Sequence, residues 1–240
     1  LFSAQYFGQK NHNGVRDVFR MKILIGITII AISLSVMIFL HEPLINMFLH
    51  EGSSSGNIQE TFNYAKNYLY IMVIGIAPFV ISNCYNTTLK ESGQTVVPMK
   101  AGVLAVVFDI VLNYIFIFGK LGFPAMGVVG AAIATVISRF VECGYLVIYT
   151  HIHSNDYPFI KHCYRTLKVP GSLVKKIIIT GAPLMLNEFL WAGGLTLQTQ
   201  ALSTRGLATV GGLNICNTIG NISNCIFVTM GTTIAIVVGQ

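Results

Sequence analysis

Six stretches of this chain are each long and apolar enough to cross a lipid bilayer, and they constrain the fold more than any other feature. Crossing the hydrocarbon as a helix takes about 20 consecutive, mostly apolar residues. The stretches cover about 23–40, 68–89, 101–118, 126–149, 177–199 and 207 to the end. The first and the last carry no charged residue, and the second has Pro78 at its middle. The third carries Asp109, the fourth Arg139 and Glu142, and the fifth Glu188. The bilayer core offers no water to hydrogen-bond a free N–H or C=O, so such runs are expected as helices. The expected fold class is all-α: a polytopic transmembrane helix bundle with six visible spans.

Composition agrees. Of 240 residues, 53% are hydrophobic and 10% charged, where a soluble domain has about 25% charged. A soluble enzyme with a large core is excluded, and the expected surroundings are membrane lipid. Lys and Arg number 15 against 9 acidic residues. In a chain this apolar that excess reads as membrane topology rather than as nucleic-acid binding. Lys10, Arg16, Arg20, Lys22, Lys90, Lys100, Lys161, Arg165, Lys168, Lys175 and Lys176, eleven in all, fall in connections on one side. Lys66, Lys120 and Arg205, three in all, fall on the other, with the Glu51-Gly52-Ser53-Ser54-Ser55-Gly56 loop. The first side is expected to be cytoplasmic, and the location a multi-pass plasma membrane protein.

The chain opens with Leu and has no basic segment ahead of a short apolar core, so no signal peptide is expected. It closes inside an apolar run, and it is expected to be an internal piece of a longer protein. Gly8-Gln9 and Gly239-Gln240 lie 231 residues apart at matching depth. Six intervening spans return the chain to the same side, as in a parallel repeat of about twelve spans in all. The five cysteines form no CxxC pair and no zinc spacing, so neither a disulfide framework nor a metal site is expected. His151, His153, His162 and Cys163 read as a solvated loop.

Ionisable groups at mid-membrane cost roughly 3 kcal/mol each on insertion scales and are functional candidates by default. Glu188 ranks first, because no basic residue lies three or four positions away. A lone carboxylate there either takes up a proton or binds a cation that replaces the missing water. Pro183 frees a helix carbonyl that can join it. Asn187 is its neighbour, and Trp191, one turn on, can stack on an organic cation. Asp109 and Asn113 share a face of the third span, as either an ion site or a packing hydrogen bond. Arg139 and Glu142, at i and i+3, are expected to pair. Asn214, Asn217, Asn221 and Asn224 form a stripe on the last span that must meet protein or water. Asn83 and Asn86 make a shorter version on the second. Gly127, Ala131, Ala134 and Ser138 form a small-residue face for close helix packing. No nucleotide-binding or nucleophile motif is present, so no enzyme and no cofactor are expected, and any pumping would run on an ion gradient.

Several motifs carry a resemblance. They are Leu112-Asn113-Tyr114-Ile115-Phe116-Ile117-Phe118-Gly119, the run from Gly122-Phe123-Pro124 through Gly127-Val128-Val129-Gly130-Ala131-Ala132 to Thr135, Gly93-Gln94-Thr95-Val96-Val97-Pro98-Met99, and Gly181-Ala182-Pro183 followed by Asn187-Glu188. Together they resemble the multidrug and toxic compound extrusion (MATE) transporters over nearly the whole chain. The resemblance implies a two-lobe transporter of about twelve helices, seen here from the end of helix two to helix eight. On that alignment 1–149 is most of the N-lobe, 150–176 the cytoplasmic linker, and 177–240 the start of the C-lobe. It further implies export of small organic cations against sodium or protons by alternating access, with Glu188 matching a cation-binding acid of helix seven. Asp109 stands where an amide is more usual. Two other readings are a lipid-linked saccharide flippase of the same superfamily, for which only Arg139 supplies a cavity charge, and a nonfunctional truncated fragment.

Overall fold

A computed structural model describes residues 2–49, 58–157, 159–161, 163–165 and 168–239. Among them there are helices and no strands. In chain order they are α1 (Phe2–Gly8), α2 (His12–Phe39), α3 (His41–Asn46), α4 (Ile58–Ile74), α5 (Ile76–Glu91), α6 (Val96–Phe118) and α7 (Gly127–Ile152). A single 3-10 turn, Cys163–Arg165, precedes α8 (Gly171–Ser203) and α9 (Leu207–Gly239). The Glu51-to-Gly56 loop, His162 and Gln240, singled out in the sequence, lie outside the described residues.

The all-α transmembrane bundle is present. The helices α2, α6, α7 and α9 are each long and apolar enough to cross a membrane, and α4 with α5 makes a fifth crossing, bent by 44°. The bend falls at Gly75, with Pro78 in the first turn of α5. Proline offers no N–H to the carbonyl four residues back and its ring crowds that carbonyl, so the helix breaks there. A Cβ on Gly75 would stand 3.1 Å from Val136 Cγ2, which seats the break against α7. The sixth expected span falls on α8, 33 residues long, which is not among the helices apolar enough to count as a crossing. It is less apolar than the others, because Asn187, Glu188 and the Gly193-Gly194 pair interrupt its hydrophobic run.

The α7 helix is the hub, packed against α4, α5 and α6. It can be central because its buried positions are mostly small: Gly130, Ala132, Ala134, Val136 and Ser138. The turn between α6 and α7 is closed by Gly119 in the left-handed conformation, φ 64°, which caps α6. The amide of Met126 then donates back to the carbonyl of Phe116 at 2.9 Å. The packing face differs slightly from the sequence expectation. Gly130, not Gly127, makes the close approach to α6, and Gly127 is exposed.

The buried core lies at one end of the bundle, the end with most of the basic residues. Val15 and Phe19 of α2 meet Tyr85 and Leu89 of α5, Val97 and Ala101 of α6, and Leu146 of α7. Toward the middle of the spans the outward faces are apolar and exposed, as with Ile27 and Ile32 on α2 and Val103, Val106 and Ile110 on α6. In a bilayer those faces meet lipid, so exposure there carries no hydrophobic penalty. The α8 and α9 helices pack on each other, and α9 also touches α1.

Candidate functional site

The α6–α7 contact builds one cluster of polar groups within the spans. Asp109 is half-buried between the two helices. Its Oδ2 accepts from Asn113 Nδ2 at 3.1 Å, one turn along α6, as the i to i+4 spacing requires. Its Oδ1 lies 3.3 Å from Ser138 Oγ on α7. Ser138 Oγ also donates to the carbonyl of Thr135 at 2.8 Å. A hydroxyl has one proton. The Ser138 hydroxyl is thus shared between the Thr135 carbonyl and the more distant Asp109 carboxyl. Among the described residues no Lys or Arg pairs with Asp109. The arrangement is a carboxyl group with amide and hydroxyl neighbours, in a helix of strongly apolar sequence. It can hold a proton, or it can offer oxygens to a small cation.

Arg139 does not join this cluster, nor does it form the expected pair with Glu142; no such ion pair occurs among the described residues. Its guanidinium carbon lies 4.6 Å from the centroid of the Phe79 ring instead. The side chain leans across to α5, where the bend at Gly75 leaves room, with its Cδ 3.4 Å from where a Gly75 Cβ would stand. A cation over an aromatic face is favourable, and more so away from water.

The other sequence candidates stand apart. Glu188, Asn187 and Trp191 are exposed on α8, and Glu188 has no hydrogen-bond or charge partner among the described residues. Asn214, Asn217, Asn221 and Asn224 are all exposed on α9. The structure brings Asp109 and Asn113 together, adds Ser138 and Thr135, and gathers neither the α8 group nor the α9 stripe with them.

A second polar network was missed in the sequence. Lys22 Nζ lies 2.6 Å from Glu91 Oε2 and 3.2 Å from the hydroxyls of both Thr87 and Thr88. This ties the basic end of α2 to the end of α5. Sequence proximity gives no sign of it, since the partners are 69 residues apart. The signal available was that each borders an apolar run. Beside it opens a cleft of about 700 Å³ between Thr87, Lys90, Glu91 and Thr95 on one wall and Thr229, Thr232 and Thr233 of α9 on the other.

Of the residues the sequence read as a solvated loop, His151 is exposed at the end of α7 and His153 half-buried just after it, but Cys163 is not solvated. Cys163, Tyr157, Phe159 and Ile160 are all buried. No group of three metal-ligating side chains occurs among the described residues.

A bundle of apolar helices with a partnered, half-buried acid within its spans defines a polytopic membrane protein. The comparisons then supply the family. The MatE family model matches residues 1–115, from α1 into α6. A probable multidrug resistance protein NorM of Thermotoga maritima is 30% identical over 212 residues, covering 88% of this chain and 43% of that protein. A protein of the same description from Halalkalibacterium halodurans is also 30% identical, over 86% of this chain and 43% of its own. The probable multidrug resistance protein YoeA of Bacillus subtilis is 28% identical over 79% of this chain and 40% of its own length. No solved structure matches at a significant level. The chain belongs to the MATE family, and it spans a little under half the length of the curated relatives it matches.

Proposed function

We propose that this chain is part of a cation-coupled exporter of small organic compounds, working by alternating access in the plasma membrane. The observation that carries the coupling is Asp109, a carboxyl group within the spans that has hydrogen-bond partners but, among the described residues, no counter-charge. In this reading Asp109, Asn113 and Ser138 alternately hold a proton or a sodium ion. Loading changes which arrangement of α6 and α7 is favoured, and through it the equilibrium between outward- and inward-facing states. Glu188 is a second candidate acid. Its exposure on α8 suits a site completed by groups other than the described residues. Trp191 and the α9 amides, also exposed, would line the path of an organic cation. The eleven basic residues on one side support a cytoplasmic position for the core-bearing end. The relatives named as probable multidrug resistance proteins support the substrate class.

The test is efflux of a fluorescent organic cation from cells expressing the full-length protein, driven by a sodium gradient and then by a proton gradient. Wild type should export the dye under at least one gradient, and Asp109→Asn should lose gradient-driven export at normal membrane levels. Equal export by wild type and Asp109→Asn would move coupling elsewhere, with Glu188→Gln as the next variant. No export by wild type above vector controls would count against the exporter reading itself.

A further inference from the structure

The connection between α7 and α8 looks like a tether in the sequence, yet four of its described residues are packed into the core. Tyr157, Phe159, Ile160 and Cys163 are 6%, 3%, 5% and 0% exposed, inside the cluster that joins the ends of α2, α5, α6 and α7. Two backbone bonds coil the segment, from Ile160 to the carbonyl of Tyr157 and from Cys163 to that of Ile160, both 3.0 Å. Phe159 meets Phe19 edge-on at 5.6 Å. The hydroxyl of Tyr164 bonds that of Tyr85, and its ring stacks on His151 at 5.8 Å. Arg20 clamps the segment. Its side chain is only 7% exposed in α2, Nε donates to the carbonyl of Cys163 at 2.9 Å, and Nη1 pairs with Asp17 at 3.1 Å. Burying a guanidinium is expensive unless each part of it is bonded, so this contact is specific to the docked position.

We propose that the described residues of 157–164 (Tyr157, Phe159, Ile160, Cys163 and Tyr164) form a strap docked on the α1–α7 bundle throughout the working cycle, with Arg20 as its positioning residue. The swing of α8 and α9 against α1–α7, which rests on the alternating-access reading above, is then taken up after the strap. Among the described residues there, Lys168, Val169 and Pro170 have no regular structure and lead directly into α8. Among the contacts that motion at that point would break are Lys176 Nζ over the Phe2 ring at 5.6 Å and the touch of α9 on α1. A pivot inside the strap would instead unpack the core and take the Cys163 carbonyl away from Arg20 Nε.

Hydrogen exchange on the purified full-length protein tests this without any need for transport. The Ile160 and Cys163 amides should exchange as slowly as those of α7, with or without sodium, at low and high pH and with tetraphenylphosphonium added. The amides of Lys168 and Val169 should exchange fast. Arg20→Gln should speed exchange of Ile160 and Cys163 by about tenfold or more, because a hydrogen bond from a charged donor is lost. Tyr164→Phe keeps the stack on His151, loses only the hydroxyl contact and should act in the same direction more weakly, which covers a failure of Arg20→Gln to fold. In efflux assays Arg20→Gln should lower kcat with KM unchanged, and Arg20→Lys should not restore it. Wild-type strap amides exchanging as fast as Lys168, or protected in only some of those conditions, would overturn the proposal. A wild type that exports nothing while keeping the strap protected would count against the exporter reading alone.

Discussion

Gly130 on α7 stands against the backbone carbonyl of Phe116 on α6 so closely that a Cβ there would lie 2.8 Å from its oxygen. That approach holds the two helices at the separation where Ser138, two turns further along α7, reaches Asp109.

Because the opposing atom is backbone, it cannot rotate away. Gly130→Val should therefore force α6 and α7 apart at a cost of about 1–3 kcal/mol, in the range of core overpacking. Thermal unfolding in detergent should show a lower midpoint, whereas Gly102→Ala, at a position with open space, should leave it nearly unchanged.

The Lys22 ammonium serves Glu91, Thr87 and Thr88 at once, and it is only 24% exposed. Lys22→Met should cost about 1.5–3 kcal/mol, the range for hydrogen bonds to a charged group. A double-mutant cycle with Glu91→Gln, read by thermal unfolding, should give a coupling of the same sign and smaller size.

Burial pushes the Cys163 thiol above its ordinary value of 9.0, against a smaller opposing effect of the Arg20 charge. The thiolate is the reactive form, so Cys163 should resist N-ethylmaleimide at pH 8 in the folded protein and react once it is unfolded. The unfolded chain ionises first. The stability gained from this group is thus complete below pH 9 and falls as the pH rises above it. Arg20→Gln should increase labelling, because the strap loosens more than the Arg20 charge had helped.

The spans could be read from the sequence because their signal is local. A run of apolar residues in lipid has little alternative to a helix, and Pro78 and Gly75 mark the bend within it. The Asp109–Asn113 contact was legible for the same reason, since both sit on one helix a turn apart. What could not be read is whatever joins distant segments. Ser138 looked like one more small residue of a packing face, and nothing in the sequence placed it beside Asp109. Arg139 and Glu142 had the spacing to pair, but the bend at Gly75 brings Phe79 within reach of the guanidinium. The strap was misread because Tyr157, Phe159 and Ile160 are too few to register as an apolar segment, and what buries them lies on four other helices. For the α9 amides, sequence logic states what must cover them in a membrane, and the described residues supply none of it.

The most direct test of the central claim is whether Asp109 gives up its ion when substrate binds. Purified full-length protein in weakly buffered detergent would be mixed with tetraphenylphosphonium while proton release is followed with a pH dye and sodium release with radioactive sodium. The account predicts release of one of the two by wild type and by Glu142→Gln, and its loss in Asp109→Asn with tetraphenylphosphonium still bound. Equal release from Asp109→Asn and wild type would contradict it.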